Sequence, residues 1–221
     1  MMNLMRLIDL LFSNPIIFII YFTALIYAIT IHEFFHAYVA YKAGDDAQID
    51  NKRLSLNPLR HLDITGLITL MLLGIGWGKP VVININKFNP KRFKFYLYMV
   101  SLAGILSNII SALFFALLLK IILVFGLVSI NGLLIQFFII LINVNIVLAV
   151  FNLIPIPPLD GSKILTLILP KRLFFINEFL LKYGNYMLLS ILIFSIIANV
   201  SVFSFLYEPV VNVVYKIFGL V

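Results

Sequence analysis

Apolar residues run along this chain in long blocks, not at the alternate or three- and four-residue spacings that leave a soluble strand or helix one wet face. Pro15–Tyr41 holds no charged or imidazole side chain apart from His32, Glu33 and His36, and Phe95–Leu119, Ile121–Leu159 and Tyr183–Tyr207 hold none. About 20 apolar helical residues cross the roughly 30 Å hydrocarbon core of a bilayer. The pattern therefore predicts an all-α polytopic membrane protein, a helical bundle of four long spans near 15–41, 95–119, 132–151 and 184–205.

Shorter pieces fill the gaps. Ile64–Trp77, "ITGLITLMLLGIGW", is too short for a comfortable span and contains three glycines, which predicts a re-entrant or interfacial segment. In Lys79–Asn86, "KPVVININ", Ile83 and Ile85 alternate with Asn84 and Asn86, which predicts a short strand, half of a small β-hairpin on the cytoplasmic side. The tail 206–221, with Pro209 near its start, reads as an interfacial helix. Residues 1–221 form a single integral membrane domain, with a core over about 15–165 and a C-terminal span and tail over about 183–221.

Composition sharpens this reading. A chain 63% hydrophobic and 11% charged lies outside the soluble class. The first apolar block has too little positive charge before it, and runs too long, for a secretory signal. Lysine and arginine gather in loops 42–94 and 152–183, while Arg6, Lys120 and Lys216 alone lie on the opposite side. Positive charge marks the cytoplasmic loops, so the amino terminus is expected outside a multi-pass protein of the cell membrane. The net charge of +7 sits in these loops and not in a basic domain, which argues against nucleic acid and leaves the lipid bilayer as the partner. With no cysteine in the chain, a metal site must use His, Asp, Glu or Asn.

One span does carry such groups. In "HEFFH", His32 and His36 are one turn apart on a helix and face the same way. Two imidazoles, a third carboxylate ligand and an open position make a catalytic zinc site, beside which Glu33, about 100° round the helix, can act as general base. The alternative uses are interhelical hydrogen bonds and a proton-relay carboxylate in a transporter. Placing Glu33 in hydrocarbon costs on the order of 2.5–3.5 kcal/mol, so three such residues within five positions demand a shared partner. His36 lies roughly 7–8 Å below the expected helix end at Tyr41 and His32 roughly 6 Å deeper, which sets the site toward the cytoplasm.

The third ligand must reach that side. "NLIPIPPLDG", Asn152–Gly161, follows the third span; its prolines forbid a continuing helix, and Asp160 is the only charge in Ile121–Ser162. Asp160 is the preferred third ligand, against a competing role as helix N-cap for Gly161–Leu169. His61 and Asp63 in "NPLRHLD" compete for the same place. Ser101, Gly104, Ser107, Asn108 and Ser111 recur at helical spacing and read chiefly as close packing, with Asn108 also a candidate for supporting the site or touching substrate. Asn143 and Asn145 read as structural or as lining a wet cavity.

These residues carry a resemblance. The chain resembles the site-2 proteases, the intramembrane zinc metalloproteases of peptidase family M50, in its short prokaryotic branch. HEFFH is similar to the family's HExxH, and Asn152-x-x-Pro155-x-x-x-x-Asp160-Gly161 to its second motif; "NPLRHLD", "GWGKPVVIN" and "AGILSN" extend the likeness over most of 28–165. The resemblance implies one zinc per chain held by His32, His36 and Asp160, Glu33 as catalytic glutamate, and Asn152 stabilising the oxyanion. It implies a transmembrane protein as substrate, cut within or near its membrane segment close to the cytosolic face. No segment resembles the PDZ or CBS domains of many relatives. The rival readings are a cation or proton transporter and a non-catalytic relative that binds membrane helices.

Overall fold

The computed structural model describes residues 7–73, 76–126, 132–198 and 200–220. Its helices are α1 (Leu7–Ser13), α2 (Pro15–Ala43), α3 (Ala47–Asp50), α4 (Ile64–Leu73), α5 (Phe93–Val124), α6 (Leu133–Leu153), α7 (Asp160–Ile168), α8 (Phe174–Ile197) and α9 (Ser204–Phe218). Among the described residues, three helices are long and apolar enough to cross a membrane: α2, α5 with the turn before it, and α6.

Local chemistry sets the ends of α2. Asn14 accepts the Ile17 N–H through its side chain and Pro15 occupies the first turn, where its missing N–H costs nothing. The helix stops at Gly44, whose φ of 115° suits glycine. Small residues then let the spans approach closely, as bilayer packing favours. Ala24 and Ala28 of α2 pack on Leu141 and Val144 of α6. Ala112, Ala116 and Leu119 of α5 meet Ile135, Ile142 and Ile146 of α6, and Val214 of α9 closes that cluster.

The segment expected to be re-entrant leaves and returns at one place. Leu62 pairs with Gly78 across its base. Gly66 and Gly76 allow the close return: a Cβ on Gly76 would stand 2.5 Å from Leu70 Cβ, and one on Gly66 would strike the Trp77 carbonyl. Asp63 starts α4 by accepting the Gly66 N–H at 2.8 Å.

Two expectations are corrected. No strand or hairpin forms over Lys79–Asn86; among the described residues the Leu62–Gly78 bridge is the one isolated β contact. The chain there is irregular and ends in a 3₁₀ turn at Ile85–Lys87, and side chains satisfy its backbone: Arg53 donates to Lys79 O and Pro80 O, Gln48 to Val82 O, and Asp45 accepts the Asn84 N–H. The span expected at 184–205 is also not found as such. Helix α8 begins at Phe174, carries Glu178, Lys182 and Asn185 in its first half, and ends at Ile197. The tail expected to be interfacial forms α9, which packs against the bundle. Phe203 stacks edge-on to Phe151 near the end of α6, Tyr215 donates to Asn143 at 2.9 Å, and Gly219 approaches Lys120. Valines 211 and 214 and Phe218 give α9 the apolar stripe that this packing uses.

Candidate metal centre

His32 and His36 project from the same face of α2, buried at 6% and 4% exposure. Asp160 comes from the far side of the proline turn and is buried at 5%. Leu159, not Asp160, caps α7, so the carboxylate is left free to turn inward. Asp160 Oδ2 lies 3.1 Å from His32 Nε2 and 2.8 Å from His36 Nε2, and the two imidazole nitrogens are 3.1 Å apart. These three residues are the metal-competent cluster found among the described residues.

The protons identify what this triangle needs. Asn108 Nδ2 donates to Ala28 O and Asn145 Oδ1, and Asn145 Nδ2 donates in turn to Leu141 O. That orients Asn108 Oδ1 toward His32 Nδ1 at 2.7 Å, so His32 carries its proton on Nδ1. His36 Nδ1 faces the Val100 carbonyl at 2.8 Å and must also be protonated. In neutral rings both Nε2 atoms would then be bare lone pairs turned on a carboxylate oxygen. A cation resolves that crowding, and the donor set suits zinc: bonds of about 2.0–2.1 Å at tetrahedral angles separate ligand atoms by about 3.3 Å. Space for the ion is kept by Gly104 of α5, where a Cβ would stand 2.5 Å from His32 Nε2 and from His36 Nε2.

The remaining residues surround this triangle. Lys163 Nζ donates to Asp160 Oδ1 at 2.8 Å, one turn along α7, leaving Oδ2 for the histidines. Glu33 Oε2 accepts the Val81 N–H at 3.1 Å. Arg53 holds Val81 in place by gripping Arg60 O, Lys79 O and Pro80 O at 2.6, 2.9 and 2.6 Å. Burial lowers the Arg53 guanidinium from its ordinary value, while the Glu33 carboxylate opposes the shift.

The structure brings together His32, His36 and Asp160, with Glu33 beside them on α2. It does not bring in His61 or Asp63. His61 is fully buried and donates from Nε2 to Ser55 O at 2.6 Å, while Asp63 caps α4. Asn152, on the last turn of α6, donates back to Leu148 O at 3.0 Å. Sequence reasoning did not find Gly104 as the residue facing the two imidazoles; its helical spacing with Asn108 was the available signal.

A membrane bundle enclosing a two-histidine, one-carboxylate centre defines a class of intramembrane metalloenzyme. The profile of "Peptidase family M50" matches residues 121–195, which include Asn152 and Asp160. A Bacillus subtilis (strain 168) protein named "Putative zinc metalloprotease YwhC" is 44% identical over 149 residues, covering 66% of this chain and 67% of that protein. No solved structure matches the chain. The chain belongs to peptidase family M50.

Proposed function

We propose that this protein is an intramembrane zinc metalloprotease that hydrolyses a peptide bond within or near the transmembrane segment of a membrane protein, toward the cytosolic face. One observation carries the reading: two imidazoles whose Nδ1 protons are committed elsewhere turn their Nε2 atoms on a buried carboxylate. His32, His36 and Asp160 hold the ion, one per chain. When bound there, zinc lowers the pKa of water and polarises the scissile carbonyl. Glu33 takes the proton of the attacking water and returns it to the leaving nitrogen. The Val81 N–H and the Arg53 clamp behind it hold that carboxylate in one orientation. Asn152 is assigned to the oxyanion, for which its amide must leave Leu148 O.

The charge of the basic loops supports an amino terminus outside and a site toward the cytoplasm. The fourth crossing belongs to the region after α7, with α9 running beside α6.

Glu33→Gln tests the reading. The variant keeps about one zinc per chain, while cleavage of a single-span substrate in detergent falls by about 10²–10⁴-fold. Surviving cleavage removes Glu33 from the mechanism. Ion flux without any peptide product, lost in the same variant, identifies a transporter instead.

A further inference from the structure

A groove of about 420 Å³ opens beside the metal centre, between the loop 81–85, the first turns of α5, and α7. Three of its wall residues are bonded to three different groups of the site. Val81 donates its N–H to Glu33, Val100 accepts from His36 through its carbonyl, and Lys163 donates to Asp160. The groove is therefore one residue removed from three groups of the site. The rest of the wall is mostly apolar, built by Ile83, Phe88, Leu97 and Leu167. Phe88 packs there against Val100, and Ile83 and Leu97 border the same cluster, so the shape is supported from behind.

From this continuity we infer that the groove is a specificity subsite, which receives a bulky apolar side chain of the unwound substrate next to the bond that is cut. The inference rests on the proteolytic reading. An extended peptide turns successive side chains to opposite faces. One of them enters the groove while the peptide carbonyl faces the histidines. Polar or charged side chains are rejected because the polar groups of the wall are already engaged, Ser101 with Leu97 O, Thr166 with Ser162 O and Asn177, and Lys163 with Asp160, and burying an unpaired polar group is costly.

Ile83 is the residue to vary, because it lines the groove without bonding any site group. Purified wild type, Ile83→Trp and Ile83→Ala are given single-span substrates in which one residue flanking the cleaved bond is Ala, Leu, Phe or Asp. Wild type is expected to favour Leu and Phe. Ile83→Trp loses about tenfold or more on these relative to Ala, and Ile83→Ala shifts preference toward the larger side chain, with zinc content unchanged in both. An unchanged rank order in both variants, or an equal loss across the panel with zinc retained, overturns the subsite. Photocrosslinking from a benzoylphenylalanine placed at Ile85 that captures phospholipid and never substrate overturns it as well. A zinc-loaded wild type that cleaves no member of the panel fails the proteolytic reading itself.

Discussion

Asn108 accepts the Nδ1 proton of His32 at 2.7 Å while its own amide nitrogen donates to Ala28 O and Asn145 Oδ1. This one side chain ties α2, α5 and α6 together at the depth of the metal centre. Groups behind a ligand that fix its tautomer and direction are typically worth 10–100-fold in metal affinity. Asn108→Leu therefore weakens zinc binding by about that factor, measured by competition with a chelator. Unchanged affinity would mean that the ring is oriented by packing alone.

Gly104→Ala acts on the same site from the opposite side. Its Cβ falls within van der Waals overlap of both Nε2 atoms, and α5 cannot retreat without opening its contacts with α2 and α6. The expected outcome is a zinc content well below one per chain in protein that still purifies as folded, checked by elemental analysis and circular dichroism. Full zinc occupancy with normal cleavage would show that the helices separate easily.

Much of this site was legible in the sequence, because helical spacing alone places His32 above His36. Asp160 stood out as the only charge after a run of prolines. What spacing could not supply was the meeting of residues 124 and 128 positions apart, which depends on the packing of α2 against α5 and α6. Gly104 read as a packing residue, since a missing side chain gives no sign of what fills the space it leaves. The strand expected at Lys79–Asn86 failed for a related reason. Alternation and β-branching describe an extended backbone, but a strand also needs a partner, and here Arg53, Gln48, Asp45 and Glu33 take the partner's hydrogen bonds. Of the span expected at 184–205, residues 184–197 fall in α8, which starts ten residues earlier with Glu178 and Lys182 in its first half, and only 204–205 reach α9.

Arg53 is the buried residue on which the loop over Glu33 depends. Hydrogen bonds from a charged donor contribute about 1.5–3 kcal/mol, and removing the donor leaves its carbonyl partners unpaired. Arg53→Met is expected to cost about 2–4 kcal/mol of stability. It should also lower kcat more than it raises KM, because Val81 no longer fixes the Glu33 carboxylate. Arg53→Lys reaches fewer of the three carbonyls and restores only part of both losses, as thermal unfolding and steady-state kinetics would record. Equal behaviour of the lysine variant and wild type would reduce Arg53 to a point charge.

His61 gives the loop a dependence on acid that is separate from the metal ligands. Burial lowers its pKa below the ordinary 6.5; the hydrogen bond to the Ser55 carbonyl opposes this, the nearby Arg53 charge adds to it, and the Glu33 carboxylate opposes it weakly. The unfolded chain thus binds a proton at higher pH than the folded one does, and stability rises with pH between the two values. The contribution is fully present above about pH 6.5 and is lost as pH falls below it toward the folded value. His61→Gln retains a donor for Ser55 O and has nothing to titrate. Comparing the two proteins removes any loss that both share through the zinc ligands. Wild-type Tm is expected to fall by a few degrees more than that of His61→Gln as pH is lowered from 7 through this window. Parallel curves would mean that the loop admits the charged imidazole without penalty, through solvent reaching its Nδ1.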